Sequence, residues 1–183
     1  LTAVEVLDGF SQGWGFSNAD MLSNVMGVGA FLCKSKFLPK GSFSLKYGFF
    51  PSRLRKLRPE LLGKNQLTSL IKDYNGQSYW LSFNLSIFRP KSRFPNWINM
   101  ALGYGASGLL GGKSNPEFNE SGMALPKLDR YAQFFISADV DWNKIPTKNK
   151  YLKFVFRALS FYKLPFPTYE INSQGKAVFH WLK

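Results

Sequence analysis

Apolar and polar residues alternate strictly along several segments of the chain. These segments are 42–49, 79–88, 97–106 and 131–142. A period of two with one apolar side predicts antiparallel strands that each present an apolar face. Farther on, residues 168–171 and 177–182 flank a turn at 172–175, and this arrangement predicts a β-hairpin.

Helical spacing marks two other parts of the chain. Residues 1–37 predict two short helices around a Gly-rich turn, and the second helix is apolar nearly all round, so we expect it to be buried in protein or lipid. Residues 151–162 predict an amphipathic helix with Lys153 and Arg157 on its polar side. No apolar run reaches the ~18–20 residues that a membrane-spanning helix needs.

The combined pattern predicts an α+β protein. An apolar helical hairpin over residues 1–40 precedes an antiparallel β-region over residues 41–183, which has basic connectors, an amphipathic helix near 151–162 and a C-terminal hairpin. Because the chain opens with Leu1 inside helical sequence, we expect the hairpin to be the remnant of a longer N-terminal helical part.

Two architectures for the β-region remain open at this point. Small polar residues opposite bulky apolar ones are typical of a membrane-associated sheet or a partial outer-membrane β-barrel. A soluble antiparallel sheet with one face on a helical core uses the same period of two. The pattern alone does not decide between them.

The charge balance indicates an anionic partner. The chain has 24 Lys and Arg against 11 Asp and Glu, a net charge of +13. We expect contacts to anionic lipid headgroups or lipopolysaccharide from the basic residues that follow strand ends: Arg53, Arg55, Lys56, Arg58, Arg89, Lys91 and Arg93. A plain solvated basic surface is the alternative. None of the standard nucleic-acid-binding signatures occurs, so nucleic acid is not an expected partner.

Aromatic residues make up 17% of the chain, which argues against disorder. Tryptophan and tyrosine collect near strand ends, as they do at membrane interfaces. The predicted membrane-interface aromatics are Trp80, Trp97, Trp142 and Trp181.

Side chains suited to catalysis are few. One Cys excludes a disulfide framework and a multi-Cys metal site, and one His leaves little for acid–base chemistry. We therefore expect no enzyme, no metal and no cofactor. Residues 103–108 match G-x-G-x-x-G, but poor helix-forming sequence follows, so we assign these glycines to a crowded strand end or turn.

Acidic residues near the N-terminus are the sharpest candidates for chemistry. They are Glu5, Asp8 and Asp20, together with Asn24. Asp20 and Asn24 lie one helical turn apart and share a face. In an apolar helix such groups are costly unless they are paired. They form either an acid–base or cation site, or a capping and polar network that pins two helices, and we favour the network.

Several motifs together resemble a known family. The motifs are EVLDGF at 5–10, WGFS at 14–17, DMLSN at 20–24, RPELLG at 58–63, KDYNGQ at 72–77, YWLS at 79–82 and ALGYGA at 101–106. The combination resembles the YfiM-like family of periplasmic or outer-membrane (lipo)proteins, in the long form of Bacteroidota, over nearly the whole chain. Family members carry an upstream signal sequence and an Asp-Lys-x-x-His segment, neither of which occurs here. The acidic pattern is also similar, more weakly, to the second half of VanZ-like membrane proteins.

The resemblance implies where the protein is located but not which reaction it performs, because the family has no established activity. We expect a non-enzymatic structural or accessory subunit of a cell-envelope complex, associated with the bacterial outer membrane and either facing the periplasm or integral. Its expected partners are other outer-membrane proteins and anionic lipid or lipopolysaccharide. The alternative is a membrane-embedded enzyme or transporter that acts on lipid or cell-wall precursors through the acidic helix pair.

Overall fold

The computed structural model describes residues 43–84, 95–112 and 114–183, together with four isolated helical positions, Val25, Gly29, Leu32 and Lys36. The chain divides into two compact units, Leu1–Ser42 and Phe43–Lys183. Apart from those four positions, the helical hairpin predicted for residues 1–40 lies outside the described residues.

Antiparallel strands form one six-stranded sheet in which every strand pairs with its neighbours in sequence. The strands are β1 (Phe43–Phe49), β2 (Gln77–Asn84), β3 (Ile98–Ser107), β4 (Tyr131–Val140), β5 (Thr168–Asn172) and β6 (Ala177–His180). Within the described residues β1 and β6 are the two edges, so the sheet is open. The mixed helix and strand content and the antiparallel pairing agree with the predicted class.

Short helices fill the connections at both ends of the sheet. Between β1 and β2 lie a 3₁₀ turn (Arg53–Lys56), α1 (Pro59–Leu62) and α2 (Gln66–Lys72), and between β4 and β5 lie a second 3₁₀ turn (Trp142–Lys144) and α3 (Lys150–Leu159). The Asn65 side chain accepts a 2.8 Å hydrogen bond from the Thr68 backbone N–H and caps α2. The sequence predicted α3 but treated the connection between β1 and β2 only as a basic stretch.

A stacked aromatic pair forms the centre of the sheet's inner face. Trp80 and Phe135 come from β2 and β4, and their ring centroids are 5.5 Å apart. Both are 1% exposed. Gly103 lies between them on β3, and a Cβ there would come within 2.7 Å of the Trp80 ring. Only glycine leaves room for the indole at this position.

Residues 161–163 pair with the edge of β1, and the chain then leads to β5. The Tyr47 N–H donates to the Phe161 carbonyl at 2.8 Å, and the Lys163 N–H donates to the Tyr47 carbonyl at 2.8 Å. Pairing of this kind removes hydrogen-bonding groups that an edge strand would otherwise present to another chain.

Asparagine side chains hold the long connection between β3 and β4. Asn75 both donates to the Leu109 carbonyl and accepts from the Leu109 N–H, each at 2.8 Å. Gly108 has φ +79°, and a Cβ there would lie 2.0 Å from the Asp129 carbonyl oxygen. The glycines of 103–108 therefore serve a crowded strand and the turn after it. No helix begins at 108–112, which excludes a dinucleotide-binding turn.

Candidate functional site

The outer face of the sheet is apolar and exposed. Alternate residues of neighbouring strands align into cross-strand rows on this face. Its large exposed side chains are Leu45, Tyr79, Leu81, Leu102, Tyr104, Phe134, Ile136, Tyr169, Ile171 and Phe179. Their exposed fractions run from 38% for Leu81 to 77% for Leu45. We call this set the apolar face.

Aromatic rings contact one another across the strands of this face. The ring centroids of Tyr47 and Tyr79 are 6.0 Å apart, and those of Tyr104 and Phe134 are 5.7 Å apart. Monomeric soluble proteins rarely expose contiguous apolar surface that runs across a whole sheet, and such surface marks an interaction site. The apolar face is thus the candidate interaction surface in the described part of the chain.

The inner face of the same sheet is polar and buried. Its buried polar side chains are Lys46, Ser78, Ser82, Asn84, Asn99, Gln133, Ser137, Asp139, Thr168, Glu170 and Asn172. A water-soluble antiparallel sheet has the opposite arrangement, with apolar residues in the core and polar residues towards solvent. The polarity of this sheet is reversed.

A charged pair anchors the polar network of the inner face. Lys46 Nζ lies 2.6 Å from Asp139 Oδ2 and donates to the Val140 carbonyl at 2.7 Å. The Ser82 hydroxyl donates to the same Asp139 oxygen and accepts from Asn99 Nδ2 at 2.9 Å. Each buried polar group here has a partner, as a low-dielectric environment requires. The sequence did not single out this network, although its members share the inner positions of the period-two pattern.

Lys163 enters the inner face from the residues that pair with the edge of β1. Its Nζ lies 4.8 Å from the centroid of the Trp80 ring and donates to Ser137 Oγ at 3.2 Å. Burial lowers the pKa of Lys163 to about 8, while the nearby Asp139 carboxylate raises it and the Lys46 ammonium lowers it. The residue therefore joins the polar network of the inner face to the Trp80 ring.

A second ionic cluster lies near the C-terminus. His180 Nε2 is 2.7 Å from Glu170 Oε2, and Lys183 Nζ is 3.5 Å from the same oxygen. Burial opposes ionisation of Glu170, but hydrogen bonds from Gln133 and His180 and the charge of Lys183 outweigh it and hold the pKa below its usual range. This arrangement gives His180 a structural role.

The basic residues predicted to contact anionic lipid differ in their exposure and in their hydrogen-bond partners. Arg53 and Lys56 are exposed. Arg58 is half-buried, and its guanidinium binds Glu60 at 2.9 Å and the Leu110 carbonyl at 2.8 Å, so it is committed to holding loops together. Arg55 reaches Ser69 Oγ at 3.5 Å. Arg89, Lys91 and Arg93 lie outside the described residues.

The predicted interface tryptophans require one correction. Trp80 is buried on the inner face, so it does not lie at a surface; it shares the side of β2 that carries Ser82 and Asn84. Trp97 and Trp142 are half-buried, and Trp181 is 78% exposed. Trp97 precedes β3 while Trp142 and Trp181 follow β4 and β6, and the antiparallel register places all three at one end of the sheet.

At this end of the sheet, α3 carries an exposed apolar side that sequence reasoning did not recognise as surface. Tyr151 is 84% exposed and Phe154 is 74% exposed. Phe156 instead packs against Trp142, with ring centroids 5.5 Å apart. The amphipathic spacing was visible in the sequence, but its exposure depends on packing.

Glu5, Asp8, Asp20 and Asn24, the residues predicted for the acidic helix pair, lie outside the described residues. Within the described residues, no group of three or more His, Cys, Asp or Glu is arranged to hold a metal ion. None of the helices in that part of the chain has the length and apolarity needed to cross a bilayer.

Comparison of the chain with protein-family models, with curated proteins and with solved structures gives no match in any of the three. The resemblance to YfiM-like proteins therefore stays a prediction that depends on the motifs alone.

Proposed function

We propose that this protein is a non-enzymatic accessory subunit of a cell-envelope complex, associated with the bacterial outer membrane through its apolar face. The observation that carries this proposal is the reversed polarity of the sheet. Apolar side chains such as Leu102 and Ile136 are exposed, whereas the charged pair Lys46–Asp139 is buried. Lipid acyl chains are the surroundings in which that arrangement is favourable.

The size of the apolar face supports lipid as its occupant. Moving one Leu, Ile or Phe side chain from water to an apolar environment contributes about 1.5–3 kcal/mol. The apolar face presents many such side chains, from Leu45 on β1 to Phe179 on β6. Each is about half exposed and so contributes part of that value, and the contributions of the side chains add up across the sheet.

The strand lengths support a membrane-associated sheet in which only some of the strands are long enough to cross a bilayer. β3 and β4 contain ten residues each, within the ~9–11 that a crossing strand needs, whereas β5 and β6 contain five and four. Trp97, Trp142 and Trp181 at one end of the sheet would meet the headgroup region, where tryptophan is favoured. The net charge of +13 favours a membrane surface rich in anionic lipid.

The resemblance to YfiM-like proteins supplies the compartment in this proposal, namely the outer membrane. The role of accessory subunit is tested by isolating the tagged protein from outer membranes in mild detergent and determining which proteins co-purify and in what ratio. We expect a fixed ratio to one or more outer-membrane proteins. A monomer that carries lipid but no partner would overturn the accessory role.

The membrane contact is tested with charged substitutions on the apolar face. We expect Leu102→Glu and Ile136→Glu to shift the protein from the membrane to the soluble fraction. Met123→Glu is the matched control, because Met123 is a 65% exposed apolar residue in the connection between β3 and β4 and not on the sheet. Equal membrane retention by all three variants would overturn the lipid contact.

A further inference from the structure

A cavity of about 360 Å³ lies between the 3₁₀ turn Trp142–Lys144 and the polar side of α3. Lys144, Lys153 and Arg157 contribute cationic side chains to its wall. Trp142 and Phe156 form an aromatic part of the wall. The volume falls in the range of small-molecule sites.

Positive charge in this cavity is only partly balanced. Lys153 and Arg157 lie four residues apart on α3, so they share a face and repel one another. Neither takes part in an ion pair within the described residues, while Lys144 pairs with Asp141 at 3.4 Å. No acidic side chain lines the cavity in the described part of the chain. An anion placed between these groups would relieve the repulsion.

We infer that this cavity binds a phosphate group, as a phosphomonoester or phosphodiester. The guanidinium of Arg157 can hold two phosphate oxygens at once, and the lysines add compact positive charges. Asn143 and Thr147 contribute polar side chains to the same wall. Trp142 and Phe156 offer an apolar surface to the group that carries the phosphate.

The helical spacing of α3 separates this cavity from Tyr151 and Val155, two of its exposed apolar residues. At 100° per residue, Lys153 and Arg157 lie on the opposite side of the helix from these two, whereas Phe154 lies about 60° from Arg157. The cavity therefore stays open to water when the side of α3 that carries Tyr151 and Val155 lies against another surface. The site does not depend on the proposed membrane contact, and its phosphate can belong to a lipid headgroup or to a free phosphorylated compound.

The test is a titration of the purified chain with inorganic phosphate and with glycerol 3-phosphate, followed by calorimetry at fixed ionic strength. We expect saturable binding that weakens by about tenfold or more in the double variant Lys153→Gln and Arg157→Gln, because two charge-assisted contacts are lost. The double variant Lys148→Gln and Lys150→Gln removes the same charge outside the cavity wall, and we expect it to bind nearly as well as the wild type. Circular dichroism checks that the helix is retained.

Two results would overturn the site: no saturable binding to either probe, or equal weakening in both double variants, which would indicate diffuse charge. Vesicles that contain phosphatidylglycerol, compared with glycerol 3-phosphate in solution, distinguish the two sources, and preferential binding to either supports the site. We expect Leu102→Glu to retain binding of glycerol 3-phosphate. If this variant loses only its binding to vesicles, the loss concerns the membrane contact of the apolar face and not the cavity.

Discussion

Lys46 and Asp139 form an ion pair 2.6 Å long between β1 and β4, two strands that are not neighbours in the sheet. Their side chains are 2% and 1% exposed. A buried charge is tolerated only when it is paired and hydrogen-bonded, and Ser82 and the Val140 carbonyl complete this arrangement. The pair therefore ties the edge strand β1 to the middle of the sheet.

Breaking this pair should destabilise the fold strongly. We expect Lys46→Met to lower the free energy of unfolding by about 3–5 kcal/mol, because the buried Asp139 would lose its ion-pair partner. The double variant Lys46→Met and Asp139→Leu should be more stable than the single variant. Urea unfolding of the wild type, the two single variants and the double variant measures the coupling energy between the two side chains. Purely additive effects would contradict the role of the pair.

Gly103 lies against the Trp80 ring and leaves no room for a larger side chain. Gly103→Ala would place a methyl group 2.7 Å from the Trp80 ring, and we expect a loss of about 1–3 kcal/mol in the free energy of unfolding. Gly112→Ala is the matched control, since a Cβ at Gly112 meets nothing within 4 Å. Thermal unfolding compares the two variants. Equal stability would mean that the indole does not lie over Gly103.

Lys163 should make stability rise with pH. Burial lowers its pKa to about 8 from 10.5, so between these values the folded protein binds fewer protons than the unfolded chain. The free energy of unfolding then increases as pH rises through this window. Burial lowers the pKa of Lys183 as well, so it acts in the same direction.

Urea unfolding at several pH values between about 7.5 and 9, where few unfolded tyrosines ionise, measures this slope. Lys163→Met should reduce the slope, and the part that remains should come from Lys183. A wild-type stability that falls steadily over the same interval would contradict the buried ammonium.

Period-two alternation predicted the strands well because it is a local property of the backbone. Predicted segments 42–49 and 131–142 became β1 and β4 with small changes at their ends. The helices α1 and α2 were missed, since each is only one or two turns long and its apolar spacing is too brief to show a period.

Alternation does not reveal which face of a sheet is buried. Trp80 lies among Ser82 and Asn84 on β2, and its place in the core depends on Gly103 and Phe135 from two other strands. The pair Lys46–Asp139 likewise joins residues that are far apart in the sequence. Such contacts follow from register and packing, which one sequence does not specify.

The central claim is that the apolar face contacts lipid, and spin labels on the protein test this claim most directly. A nitroxide label is placed at position 102 by Leu102→Cys, and a control label at the exposed loop position 120 by Glu120→Cys, after the single cysteine is replaced by Cys33→Ser. Electron paramagnetic resonance with anionic vesicles then measures collisions with oxygen, which partitions into lipid, and with a water-soluble nickel complex. We predict a label at 102 that oxygen reaches and nickel does not, and a label at 120 that nickel reaches freely. A label at 102 that stays accessible to nickel in the presence of vesicles would contradict the membrane-facing role of the sheet.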